Sequence, residues 1–159
     1  MKETTYSKSI ANAINKFLTD NDLNFSFDEQ LGQFILSSGI KSKLKKLNYI
    51  INVEDYAFIV YAISPIGVDA DDENSMTEMA EFVCRANYGL RRGNFELDMR
   101  DGEIRYKCHV DCKGIIPTNE MVANNIITPI AMFDRYGDGI VDIIFGNVPA
   151  KEAVERCEQ

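Results

Sequence analysis

The stretch "YKCHVDC", residues 106–112, gathers the chain's only histidine, His109, and two of its four cysteines, Cys108 and Cys112. These are the residue types of a zinc site, or of a thiol nucleophile with its base. Their spacing argues against both. On a strand, successive side chains point to opposite faces, so Cys108 and Val110, with Cys112 if the strand runs that far, share the side of Tyr106. His109 points with Lys107 to the other side. Cys108 and Cys112 lie about 13 Å apart along an extended strand, whereas the ligands of one zinc lie about 2.3 Å from it. A shared metal requires the strand to end or bulge before Cys112. No second histidine exists to serve a thiol as base. Core packing is the reading for Cys108, and Cys112, at the strand's end, alone keeps freedom for another role. Cys84 falls inside a helical stretch and reads as packing, and Cys157 falls in the tail and reads as exposed.

Three further motifs suggest chemistry and fail on detail. "DRYGDGIVDIIF" offers Asp134, Asp138 and Gly139 at positions one, five and six of a calcium loop, but places Tyr136 at position three and Phe145 where a bidentate Glu is needed. "DADDENS" alternates carboxylates, yet lacks the turn glycine and puts Ala80 at the last ligand position. It reads instead as a helix-capping loop, with Asp and Asn satisfying free N–H groups at the positive end of the following helix. "SSGIKSK" places Gly39, Lys41 and Ser42 like the end of a phosphate loop, but the glycine and lysine are not adjacent and Gly32 is too far upstream. Lys41, Lys43, Lys45 and Lys46, with Arg91 and Arg92, form at most a basic patch, and a solvated loop is the favoured reading.

The elements around these residues follow from periodicity. From about Thr5 to Asp22, Tyr6, Ile10, Ala13, Ile14, Phe17 and Leu18 recur at helical steps, which predicts an amphipathic helix. Phe25 to Ile63 reads as three strands, "GQFILSS", "KLNYIINV" and "YAFIVYAI". The second is half-buried, with Leu47, Tyr49, Ile51 and Val53 on one face. The third is apolar on both faces, which predicts a central strand covered twice. A helix follows over about Ser75 to Leu90, with Met76, Met79, Ala80, Val83, Asn87 and Leu90 in one stripe. "NFELDMRDGEIRYKCHV" then alternates through two strands joined at Asp101-Gly102, a dipeptide suited to the positive φ angles of a two-residue type I′ turn. That turn sets Arg100 opposite Glu103, Met99 opposite Ile104, Asp98 opposite Arg105, Leu97 opposite Tyr106, Glu96 opposite Lys107, and Phe95 opposite Cys108. After Pro117, a helical period runs through Met121, Val122, Ile126, Ile130 and Phe133, kinked at Pro129. "GDGIVDIIFG" reads as a separate short helix ended by Gly146, and residues 147–159 as a C-terminal tail or short helix.

With 159 residues and 45% hydrophobic content, the expectation is one domain over residues 1–159 with one core. A formal charge of −8 repels a polyanion, so nucleic acid is not an expected partner. The start "MKETTYSKSI" lacks the apolar centre of a secretory leader, and "AFIVYAI" is far short of a bilayer span. A cytoplasmic protein with reduced cysteines and no membrane contact is expected.

The order of features in "MAEFVCRANYGLRRGNFELDMRDGEIRYKCHV" resembles the YbjN-domain family of bacterial proteins, a family described as candidate sensory-transduction regulators. The likeness lies in the helix running into "ANYGL", the strand "GNFELD", the turn "DG" and the return strand "IRYKCHV". These are preceded by "VEDYAFIVYAISP" and followed by a helix. It extends over roughly residues 5–145 and rests on hydrophobic and turn positions. It implies an α+β fold like that of type III secretion chaperones, of order α-β-β-β-α-β-β-α, with an antiparallel sheet packed against helices. It also implies a dimeric protein that binds extended segments of a partner, and it brings no catalytic residue.

The resulting expectation is a non-catalytic protein-interaction, chaperone-like or regulatory domain. It has no catalytic, cofactor-binding or metal residues, and its partners are a protein segment and a second copy of itself. The alternative is a small-ligand sensor or enzyme with a pocket beside the sheet, involving Cys108, Tyr106 or Asp98. A third reading, a regulator touching nucleic acid through the basic loop, rests on Lys43 and Lys45.

Overall fold

The structure is a computed structural model that describes residues 5–159. Residues 1–4, which begin both the stretch read for a leader and the expected domain, lie outside the described residues. Helix α1 spans Lys8–Asp20, where the Ser7 hydroxyl accepts the Ile10 N–H at 3.2 Å and so caps a free donor. Its buried face is Ile10, Ala11, Ile14, Phe17 and Leu18; Ala11 takes the place expected for Ala13. The segment read as three strands holds four: β1 (Phe25–Asp28), β2 (Gln33–Gly39), β3 (Lys46–Val53) and β4 (Ala57–Ile63). Helix α2 (Glu73–Asn87) is capped by Asp72, whose carboxylate accepts the Ser75 N–H at 3.1 Å, as the acidic stretch predicts. Then come β5 (Asn94–Leu97), β6 (Ile104–Asp111), α3 (Asn119–Gly146) and α4 (Ala150–Glu158).

The six strands form one antiparallel sheet in the order β1-β2-β3-β4-β6-β5. The α+β architecture is as expected, with one strand and one helix more than the expected order. Phe34, Leu36, Tyr49, Ile51, Phe58, Val60, Ala62, Tyr106 and Cys108 line up across the strands and are buried under the helices. Strand β4 is central, yet it is covered once and not twice. Its Ile59, Tyr61 and Ile63 point away from the core and stay partly exposed.

The β5–β6 hairpin also departs from expectation. Phe95 pairs with Tyr106, Glu96 with Arg105, and Leu97 with Ile104. Each partner lies two residues from the one predicted, so Cys108 meets Val60 of β4 and not Phe95. The turn is longer than two residues: Asp98 donates its N–H to the Glu103 carbonyl at 2.9 Å, and its own carbonyl accepts from Gly102 at 2.8 Å. Asp98 drives this. Its carboxylate accepts the Arg100 N–H at 2.9 Å, which closes the local turn that Asp favours. Gly102 does take a positive φ of 78°, and Val68 presses so close that a Cβ there would sit 2.7 Å from the Val68 carbonyl carbon. A two-residue shift preserves parity, so the side chains of β5 and β6 keep their predicted faces, while Met99, predicted opposite Ile104, falls in the turn and is exposed.

Helix α3 runs unbroken from Asn119 to Gly146, through Pro129 and through the "GDG" read as a break. Gly costs about 1 kcal/mol against Ala in a helix. Here the cost is offset by close packing: Ser42 lies against Gly137, and the Phe82 ring against Gly139. Pro129 lacks an N–H, and near it side chains take up helix carbonyls, with Tyr49 donating to Ile126 at 2.8 Å and Thr128 to Asn124 at 2.6 Å. The C-terminal segment is a packed helix. Ala150, Ala153 and Val154 of α4 are buried against α2 and α3, and the Glu78 carboxylate accepts the Ala150 N–H at 2.6 Å. That bond supplies the cap which Pro149 cannot.

Candidate interaction surface

With the helices on one side, the other face of the sheet is uncovered among the described residues. Ile35 of β2, Ile50 of β3 and Tyr61 of β4 are direct cross-strand neighbours on that face, and Ile59 and Ile63 flank Tyr61 along β4. Ile35 is 49% exposed. A shallow depression of about 600 Å³ between β1 and β4 includes Ile35, Ile50 and Ile63 in its lining. Polar residues frame this apolar row: Gln33 and Asn52 at one side, Ser37 and Asn48 at the other, and a charged trio towards β5. In that trio Glu96 pairs with Arg105 at 2.9 Å and with Lys107 at 3.4 Å, while the Arg105 guanidinium lies 4.1 Å from the Tyr61 ring centroid. None of these apolar residues stood out in the sequence as a surface. Apolar positions on both faces of a strand look the same whether a helix or a partner covers the second.

The two sheet edges differ. Beside β5, the Asn87 side chain at the end of α2 accepts the Phe95 N–H at 2.7 Å and donates to the Phe95 carbonyl at 2.9 Å, so it occupies hydrogen-bonding groups that a further strand would use. Strand β1 pairs only with β2, and no strand lies beside its outer edge among the described residues.

The residues that drew attention as chemistry do not converge. Cys108 is fully buried in the core, and burial pushes its thiol up to about 11, with the nearby Arg92 charge a smaller opposing effect. His109 is exposed on the uncovered face, paired with Ile59. Cys112, at the end of β6, is buried as well. Its thiol lies 3.7 Å from the Val110 carbonyl, and burial followed by the Asp111 charge raises its pKa. Cys84 and Cys157 exchange their expected settings: Cys84 is exposed, and Cys157 is half-buried with its sulfur 4.0 Å from the Tyr136 carbonyl. The pocket residues of the alternative reading also separate. Cys108 and Tyr106 lie in the core, with the Tyr106 hydroxyl donating to the Arg92 carbonyl, whereas Asp98 sits in the hairpin turn held by Arg100 at 2.7 Å. Among the described residues no three His, Cys, Asp or Glu side chains are grouped as metal ligands.

Two of the rejected motifs meet each other. The calcium-like "DRYGDGIVDIIF" is helical, so Asp134, Asp138 and Asp142 follow one another at four-residue steps along α3. The loop carrying Lys41, Ser42 and Lys43 docks on that stripe. Asp134 accepts the Lys41 N–H at 2.6 Å, Asp138 the Lys43 N–H at 2.8 Å, and Asp142 meets the Lys43 ammonium at 3.2 Å. Backbone donors that resembled a phosphate cradle in sequence are thus occupied by the chain's own carboxylates. Lys41, Lys45 and Lys46 remain exposed.

No described helix is long and apolar enough to cross a membrane. No family model matches the chain, and no curated protein matches it in sequence. Solved structures do match in fold. YbjN, a proposed transcription regulator from E. coli, is 14% identical with a TM-score of 0.56, over 86% of this chain and 90% of that one. A chain of the HopA1–SchA chaperone–effector complex is 8% identical with a TM-score of 0.49, over 80% and 92%. The six-stranded antiparallel sheet with its helices on one face is thus a YbjN-like fold.

Proposed function

We propose that this chain is a non-catalytic protein-interaction domain that works through the uncovered face of its sheet. The observation that carries the reading is the row Ile35, Ile50 and Tyr61, with Ile59 and Ile63 beside it, facing solvent across three adjacent strands. A contiguous apolar patch with a polar frame is the anatomy of a protein contact, and here the frame is Gln33, Ser37, Asn48, Asn52 and the Glu96–Arg105–Lys107 trio. The titratable groups singled out in the sequence are dispersed between core, turn and surface, which suits binding better than catalysis. Four unpaired cysteines accord with a reducing compartment such as the cytoplasm.

The test is affinity capture from the native host with wild-type protein and with Ile50→Lys, a substitution at the middle of the row. A stoichiometric partner, a second copy included, that is held by wild type and lost from a folded Ile50→Lys supports the reading. Identical capture by both proteins refutes it.

A further inference from the structure

We infer that α4 is a releasable lid, a helix that leaves its seat between α2 and α3 while the rest of the chain stays folded. Its release uncovers an apolar strip around Phe82 and Tyr136 on the helical side of the sheet. The inference concerns a different part of the molecule from the uncovered sheet face and stands apart from the reading above.

The hold on α4 is slight. Its inward side chains are small: Ala150, Ala153 and Val154 are buried and Cys157 is half-buried. Hydrophobic stabilisation follows the apolar area removed from water, and alanines supply little of it. Beneath them lie far larger groups, the Phe82 and Tyr136 rings, set edge to face with centroids 6.1 Å apart. Gly139 makes the close fit possible, since a Cβ there would lie 2.6 Å from the Phe82 ring and 2.9 Å from the Cys157 sulfur.

The polar ties are few and sit at the two ends. Pro149 gives α4 no side-chain cap, so its first turn relies on the Glu78 carboxylate of α2, which accepts the Ala150 N–H. At the far end the Glu158 carboxylate accepts the Tyr136 hydroxyl at 2.7 Å. Arg156 reaches Asp142 at 3.6 Å, but its side chain is 51% exposed and such a pair adds little. A nine-residue helix is shorter than the roughly 12–15 residues that an isolated helix needs in water. Off its seat α4 therefore unravels, and the chain entropy it regains favours opening. Three residues join it to α3, the first of them Asn147 in the left-handed region at φ 50°, and hinges use short segments of this kind.

The walls of the seat do not depend on α4. Tyr136 packs edge-on against Phe95 at 5.7 Å, and Phe95 in turn meets Tyr106 at 4.9 Å and Phe133 at 5.2 Å. This aromatic chain ties α3 to the hairpin strands, so the sheet and the two longer helices keep their contacts when α4 departs. Opening is then local, well below the cost of unfolding the whole chain.

Cys157 and Cys108 provide the test, one on the lid and one in the core. The reference protein carries Cys84→Ser, because Cys84 is exposed in the depression it shares with Val154 and Glu155 of α4. Labelling with N-ethylmaleimide under native conditions is followed residue by residue by peptide mass spectrometry. Cys157 is expected to label at least about a hundredfold faster than Cys108. Glu78→Ala, which removes the cap, should speed Cys157 by about threefold to thirtyfold. Glu158→Ala, at the other end, should also speed it and keeps the test open should Glu78→Ala fail to fold. Ile14→Val, in the core under α1, should speed Cys108 by about twofold to tenfold and leave Cys157 unchanged. Equal labelling of Cys157 and Cys108 overturns the inference, because α4 then leaves only when the whole chain unfolds. So does acceleration of both thiols by Ile14→Val. A Cys157 rate that neither glutamate substitution moves overturns it as well, because the sulfur is then reached with α4 in place.

Discussion

The carboxylate of Asp134 on α3 accepts the backbone N–H of Lys41 at 2.6 Å, a contact between residues 93 apart in sequence that ties the β2–β3 loop to the longest helix. Asp138 does the same for Lys43 one helical turn later. Each bond resembles a helix cap, a carboxylate on a backbone donor, though here the donors belong to a loop. Asp134→Ala and Asp138→Ala are each expected to lower stability by about 1–2 kcal/mol in urea unfolding. Asp134→Asn, which retains an acceptor, should recover most of the loss. Hydrogen exchange at Lys41 and Lys43 should rise in the alanine variants, and unchanged exchange would show that the loop is held by other contacts.

Ser42 rests directly on Gly137, where an added Cβ would lie 2.9 Å from the Ser42 Cβ. Gly137→Ala should gain about 1 kcal/mol of helix propensity yet lose more through this overlap, for a net cost of about 1–2 kcal/mol. Ser42→Gly in the same chain removes the nearest obstacle, leaving only the flexible end of Leu44 at 3.1 Å, and should return part of the stability. The two substitutions are expected to couple by at least about 1 kcal/mol in a double-mutant cycle, and simple additivity would contradict the packing described.

Asp98 accepts hydrogen bonds from both the side chain and the backbone N–H of Arg100, which together hold its carboxyl down at about 2. The unfolded chain, with an ordinary carboxyl near about 3.9, binds this proton more readily than the folded one. The stabilisation is therefore complete above about pH 4 and is lost as pH falls through about 2. In Arg100→Gln the Asp98 titration, followed by carboxyl carbon NMR, should move up towards the ordinary value. An unmoved titration would assign the depression to another partner.

The thiols of Cys84, Cys108 and Cys112 should react in an order set by burial and ionisation. Cys84 is exposed, whereas Cys108 is fully buried with its thiol pushed up to about 11 and Cys112 is buried with its thiol raised. Alkylation of the native protein near pH 8 should label Cys84 first. Cys108 and Cys112 should label only after unfolding, because the thiolate is the reactive species. Peptide mapping by mass spectrometry reads the order, and early labelling of Cys108 would contradict its place in the core.

The sequence by itself determined which residues share a face. Alternation in "KLNYIINV" and "IRYKCHV" put Tyr49, Tyr106 and Cys108 inwards and sent His109 and Lys107 outwards, because a strand's side-chain period is two whatever its partner. It also determined the α+β class and the acidic cap of α2 at Asp72. Tertiary structure decided what local patterns do not encode. The hairpin register moved by two because the Asp98 side chain closes the turn, and a period-2 signal cannot distinguish a shift of two from none. Helix α3 continued through Gly137 and Gly139 because Ser42 and Phe82 pack where a Cβ would stand, residues distant in sequence. The candidate surface was hidden for the same reason. Ile59 and Tyr61, on the strand read as covered twice, looked like core, and only the placement of the helices on the opposite face of the sheet left them facing water.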